Sequence, residues 1–346
     1  MIVDKTYCMS SFLMYRTVVD ENRRFKESCI PKPFSMKSLR EPVSSSAELE
    51  EKLRFHVENA CKNGKAALAL SGGIDSAILA KFMPKGSVAY TFKCVVPGIE
   101  VVDETPAAKR YAEECGLEHR IVEIYWEDFE KYSADLMKRK GSPIHSIEVQ
   151  IYKASIAAKK DGFDTLIFGE SADANFGGLN GLLSKDWTTP DFIDRMSNVL
   201  PYKALKDSVM ITEPFSEYSK NGFADVHNYI RHVFFKESMG SYENATELSG
   251  IKLCAPYAET YMGVPLDYQR VRSGDSKYFV REIFHKYYPD FTPPPKTPMP
   301  RPMNEWLQNW QGPTRSEFWP HCTDNMTGDQ KWLVYILEKF MDLFDL

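Results

Sequence analysis

Along the first half of the chain the apolar positions switch repeatedly between a helical and a strand-like spacing. Leu49, Leu53, Val57, Ala60 and Cys61 recur at helical intervals. Ser45 and Glu48 ahead of them form an S-x-x-E pair that predicts a capping box, and Gly64 stands where a helix C-terminus closes. Residues 65–70 are a short, mostly apolar run that ends in glycines, the pattern of a strand buried on both faces. A helix over 76–83 stopped by Pro84, a strand at 88–92 and a helix over 105–115 closed by Gly116 come next. Then follow a strand at 120–124, helices over 126–140 and 147–160, and a strand at 164–168. Such alternation predicts an α/β fold, a parallel sheet sandwiched by helices, with ligands bound beyond the carboxyl ends of its strands.

The pattern changes after Asp186. Strand-like runs become rare, aromatics increase, and 278–288 and 330–346 read as helices. Between Pro289 and Pro302 seven of fourteen residues are proline, an extended and stiff connection. The predicted organisation is an N-terminal extension (1–44), an α/β core (45–185) and a mostly helical C-terminal part (186–346). The extension does not read as a domain, since Pro31, Pro33 and Pro42 interrupt it. The methionines and aromatics between Tyr7 and Phe25 predict that it docks on a core or on a partner chain.

Two glycine-containing turns at predicted strand ends carry the chemistry. Ser71-Gly72-Gly73-Ile74-Asp75-Ser76 joins a strand to a helix. Adjacent glycines let backbone N–H groups approach an anion, and the helix that follows adds its positive dipole end. Ser71 and Ser76 can donate to phosphate oxygens, and Asp75 can hold the accompanying Mg²⁺. The second turn, Gly169-Glu170-Ser171-Ala172-Asp173-Ala174-Asn175-Phe176-Gly177-Gly178, sets two carboxylates three residues apart, suited to metal and proton work. Taken alone it would read as a solvated acidic loop.

The first turn resembles the PP-loop of the ATP pyrophosphatases, enzymes of Rossmann-like fold that split ATP between the α- and β-phosphates. The second resembles the G-E-G-x-D-E-x-F-G-G loop of asparagine synthetases and the related lactam-forming synthetases. That resemblance implies Glu170 as a catalytic residue and Asp173 as a second Mg²⁺ ligand beside Asp75. Lys296 to Trp306 is similar to a K-x-x-F-x-x-P-M-x-x-W region of the same family, implying that Lys296 contacts the phosphates. Lys277-Tyr278-Phe279-Val280-Arg281 resembles the family's K-x-x-L-R helix. Together these imply an AMP-forming ligase. It would adenylate a small-molecule carboxylate with Mg·ATP and pass the acyl group to ammonia or an amine. Ser71, Gly72, Gly73 and Ser76 would hold phosphates, Gly169 would border the nucleotide, and the strand ends at Leu70 and Phe92 would offer backbone groups to adenine.

Departures narrow the expectation. About seventy residues precede the first turn, too few for the glutaminase domain of asparagine synthetases. Ammonia would then come from solution or from a separate glutaminase. Ala174 replaces an acidic residue, and Cys254 stands where an arginine of the family's E-x-R-x-P-F-x-D segment would lie, which weakens aspartate as substrate. Alternatives are a PP-loop enzyme adenylating a tRNA base and a non-catalytic ATP-binding module. With 346 residues, 43% hydrophobic, 26% charged and a net charge of −5, the chain is ordinary for a globular protein and too acidic for a general nucleic-acid binder. No apolar run is long enough to cross a bilayer. Seven scattered cysteines without a C-x-x-C pair fit reduced thiols and a cytoplasmic setting. A homodimer is left open. His145 and Glu148 read as a surface pair or as substrate contacts. Tyr257, Tyr261 and Tyr268 read as core or pocket wall, and His227 with His232 lacks the third ligand of a metal site.

Overall fold

The computed structural model describes residues 1–34, 40–293 and 299–346. Helix α1 (Lys5–Tyr15) opens under Asp4, whose carboxylate accepts the Tyr7 N–H at 2.9 Å. Helix α2 (Ser46–Cys61) leads into strand β1 (Ala66–Ala69), α3 (Ile74–Ala80), β2 (Val88–Cys94), α4 (Thr105–Cys115) and β3 (Glu118–Ile124). Helices α5 (Trp126–Lys140) and α6 (Ile147–Lys160) precede β4 (Thr165–Ile167). The second half contributes α7 (Phe235–Ser249), β5 (Lys252–Cys254), α8 (Tyr278–Tyr287) and α9 (Gly328–Leu343).

The five strands form one parallel sheet in the order β5-β4-β1-β2-β3. Leu68 lies opposite Ala89 on one side and Ile167 on the other. Because side chains alternate across a strand, Ala66, Leu68 and Ile167 enter one core with residues of α2, α3, α4 and α8. Ala67, Ala69, Leu166 and Phe168 enter a second core with α1, α5, α6 and α9. This is the predicted α/β sandwich, with a mostly helical C-terminal region. No helix among the described residues is long and apolar enough to cross a membrane.

Three details differ from the sequence reading. Strand β5 comes from a segment to which the sequence assigns no element, because three residues on a sheet edge are too few to display alternation. The helix expected over 76–83 starts at Ile74 and ends at Ala80; Phe82 and Met83 bond back three residues, tightening the chain before Pro84. At α2 the Ser45 hydroxyl accepts the Glu48 N–H at 3.2 Å, but the Glu48 carboxylate takes the Ser44 N–H at 2.7 Å, so the box is not reciprocal. The N-terminal segment is wired into the core. Residues 8–15 of α1 are buried, and Val199 and Asn198 donate backbone bonds to Leu13 and Met14. The Tyr15 hydroxyl donates to the Ile211 carbonyl at 2.6 Å.

Candidate active site

The strand order reverses around β1, since the chain moves from β1 to β2 on one side and later returns to β4 on the other. Crevices at such a switch point are where open α/β sheets bind ligands. Both glycine turns meet there. A Cβ added to Gly169 would lie 2.9 Å from the Ser76 nitrogen, so only glycine lets the second turn pack against the start of α3. Gly169 therefore joins the two loops.

The first turn closes on itself. The Ser71 N–H donates to Ser76 Oγ at 3.0 Å, the two hydroxyls are 3.0 Å apart, and the Gly73 N–H donates to Ser71 Oγ at 3.1 Å. Ser76 is only 3% exposed and braces the loop, whereas Ser71 is half-buried. The Leu70 N–H donates to the Tyr90 carbonyl at 2.8 Å, and its own carbonyl accepts the Thr91 hydroxyl at 2.6 Å, so pairing with β2 continues one residue past β1. Phe92 lies within β2 opposite Val122, and strand parity turns its backbone groups to the same side as those of Tyr90, beyond the end of β1.

In the second turn the Glu170 carboxylate accepts a hydrogen bond from Ser238 Oγ at 2.9 Å. The buried Tyr242 hydroxyl is also bonded to it; burial first, then this carboxylate, pushes the phenol well above its ordinary range. Both partners sit on α7, which runs on from a π-helical turn at Ile230–Phe234. Ser171 occupies the left-handed region (φ 73°) while 3% exposed. A Cβ on Gly178 would fall 2.0 Å from Asp173 Oδ1, so the closing glycine lets the chain fold over that carboxylate.

Lys277 completes the constellation. At the head of α8, with a side chain 5% exposed, its Nζ lies 2.7 and 2.8 Å from the two oxygens of Asp75 and 3.0 Å from Asp173 Oδ1. The site residues read from the sequence did not include it. The signal was its resemblance to the K-x-x-L-R helix. Asp75 is further held by the Tyr257 hydroxyl, which donates to its carbonyl at 3.2 Å; Tyr257 is fully buried core. Two carboxylates beside a phosphate-type loop suit Mg²⁺, which takes one or two carboxylates and completes its octahedron with water and substrate phosphates. Lys296 lies outside the described residues. Just beyond it, the Pro300 carbonyl accepts from Cys94 Sγ and Gln150 Nε2, each at 3.2 Å, tying that stretch to the end of β2.

His145 and Glu148 are not a surface pair. Glu148 is fully buried and accepts from Lys140 Nζ at 2.6 Å, the His145 N–H at 2.8 Å and Asn244 Nδ2 at 2.6 Å. His145 lies 3.3 Å from Glu237 and 3.2 Å from an Arg16 nitrogen, and Arg16 pairs with Glu237 at 2.9 Å. Burial, then Arg16, pushes the His145 imidazole down to about 4. Burial would raise Glu237, but Arg16 and His145 outweigh it and hold that carboxyl at about 2. Of these groups, Arg16 and Glu237 border a cavity of about 760 Å³ that also touches Gly178 at the end of the second turn.

A glutamine-hydrolysing asparagine synthetase assigned in Methanocaldococcus jannaschii is 22% identical over 262 residues, covering 69% of this chain and 41% of the relative. The chain therefore spans about two fifths of that relative's length. Among solved structures, the NMN synthetase of Francisella tularensis is 14% identical, with 74% of this chain and 99% of the other covered at a TM-score of 0.29. The U34-tRNA thiolase NcsA of Methanococcus maripaludis is 16% identical, with 86% and 80% covered at a TM-score of 0.30. Scores this low do not equate the folds. The family model described as asparagine synthase matches residues 48–248, which include both turns, Glu170 and its partners on α7. The chain belongs to the asparagine synthase family, an ATP-using ligase class among the PP-loop ATP pyrophosphatases.

Proposed function

We propose that the protein adenylates a small-molecule carboxylate with ATP and passes the acyl group to ammonia or an amine, releasing AMP and pyrophosphate. The observation that carries this reading is the Lys277 clasp, which draws one carboxylate from each turn around a single ammonium. The substrate carboxylate attacks the α-phosphorus and pyrophosphate leaves with its charge. Ser71 and the N–H groups of the first turn receive phosphate oxygens, Ser76 keeps that turn closed, and Lys277 opposes the growing negative charge. Mg²⁺, held by Asp75 and Asp173, would neutralise the departing pyrophosphate further. Phe92 borders the adenine side, and Lys296 would contact the phosphates, as the family resemblance implies.

Glu170 takes the proton of the incoming nitrogen as it displaces AMP. Ser238 and Tyr242 aim its carboxylate through their hydrogen bonds to it. Exchange of radiolabelled pyrophosphate into ATP across a library of carboxylic acids tests the reading. One acid class should support exchange, and Asp75→Asn should nearly abolish it with the fold intact. Exchange that no acid supports, or that survives Asp75→Asn unchanged, would sink the proposal.

A further inference from the structure

The cavity of about 760 Å³ adjoins a second of about 130 Å³, and the two share Arg16, Asn198, Asp329 and Gln330 in their walls. Its wall includes neighbours of both Asp173 and Glu170. Gly178 in its wall folds over Asp173, and Glu237 in its wall precedes Ser238, the partner of Glu170. Beside His145 Nδ1, which faces Glu237 at 3.3 Å, three buried polar atoms at these walls have no hydrogen-bond partner among the described residues: Arg16 Nε, Ser146 Oγ and Ser197 Oγ. Ser146 is 1% exposed. Buried polar atoms are rarely left unmatched, so a cluster of them at one cavity points to a ligand.

Charge in the cavity is already balanced. Arg16 is paired with Glu237, Arg301 with Asp329 at 2.8 Å, and His145 is neutral above about pH 4. At the rim Asp194 and Arg195 are adjacent and opposite in sign. A charged ligand body would meet a like charge as readily as an unlike one. The unmatched groups instead call for oxygen: an arginine N–H only donates, and serine hydroxyls both donate and accept. The volume falls in the range of drug-sized pockets and exceeds what a free amino acid fills.

We infer that these cavities hold the body of the substrate, and that this body carries neutral oxygen groups, hydroxyls or amide carbonyls, beyond its reacting carboxylate. The inference rests on the adenylation reading for the fate of that carboxylate. Arg16, Asp329 and Gln330 lie outside the residues that match the family, so recognition falls to parts of the chain that the family pattern does not describe.

Calorimetric titration of the full chain, without ATP, would use four kinds of acid: hydroxylated acids, short peptide acids, plain alkanoates of matched size, and aspartate. One of the first two kinds should bind, and which one identifies the oxygen source. Ser146→Ala and Ser197→Ala should each weaken that binding about five- to tenfold, the worth of one hydrogen bond, without lowering the melting temperature. Alkanoates or aspartate binding equally well would overturn the inference, as would no binding in any arm or unchanged affinity in both variants. Pyrophosphate exchange then separates the two claims. Binding without exchange counts against adenylation alone. Exchange whose KM neither variant moves counts against the cavity alone.

Discussion

Lys277 has a type usually found at the surface, yet it is almost wholly buried between two carboxylates and takes a left-handed backbone (φ 52°) to reach them. Non-glycine residues adopt that region at a cost, and such strain gathers at functional sites. Lys277→Met keeps much of the stem and removes the charge. It should lower pyrophosphate exchange by about two to three orders of magnitude, the loss expected when one charge-stabilising group is removed. A circular dichroism spectrum like that of the parent would show that the fold survived; near-normal exchange would remove Lys277 from the site. Ser171 invites the opposite experiment. Its φ of 73° suits the glycine found at this position of the family loop. Ser171→Gly should relieve strain and raise stability by about 0.5–1 kcal/mol, read as a denaturation midpoint shifted upward. A fall in stability would mean that the buried hydroxyl is worth more than the strain it brings.

At the scale of elements, α7 governs Glu170. The helix is entered through a π-helical turn, a feature frequent at functional sites, and its Ser238 and Tyr242 both reach one carboxylate. Tyr242→Phe and Ser238→Ala each remove a donor that aims this carboxylate, so each should slow amide formation while pyrophosphate exchange changes little. Glu170→Gln should go further and cut amide formation by about two to four orders of magnitude, leaving exchange partly intact. Equal loss of both half-reactions would reassign Glu170 to organising the adenylation step. Helix α1 acts differently. Its buried stripe seats Arg16 at the cavity, and Phe12, fully buried in the second core, should cost about 3–5 kcal/mol when cut to alanine.

Over the whole molecule the buried histidines set the acid limit. Burial, then Arg16, lowers His145 to about 4; burial, then Arg231, lowers His227 to about 4 as well. The unfolded chain takes up these protons near pH 6.5 and the folded chain only near 4, so the unfolded state binds more protons within that window. Stability should therefore fall as pH drops from about 6.5 to about 4, by on the order of a few kcal/mol. Glu237, held at about 2, adds a further loss below about pH 4.5. Urea midpoints measured from pH 7.5 to 4 check this, and His227→Gln should flatten part of the slope. A midpoint that does not move would show that neither imidazole resists protonation.

What was legible in the sequence was local. The change from helical spacing to short apolar runs announced the parallel sheet, because burial on both faces demands such runs and each crossover demands an amphipathic helix. The two glycine turns were legible because their chemistry is held within six and ten consecutive residues. Tertiary structure decided what no local pattern encodes. Lys277 meets Asp75 across 202 positions, Ser238 meets Glu170 across 68, and Arg16 meets Glu237 across 221. Spacing along a chain carries information about burial and turns. Which distant charges share one desolvated point is settled only when the sheet order and the packing of α1, α7 and α8 bring them together.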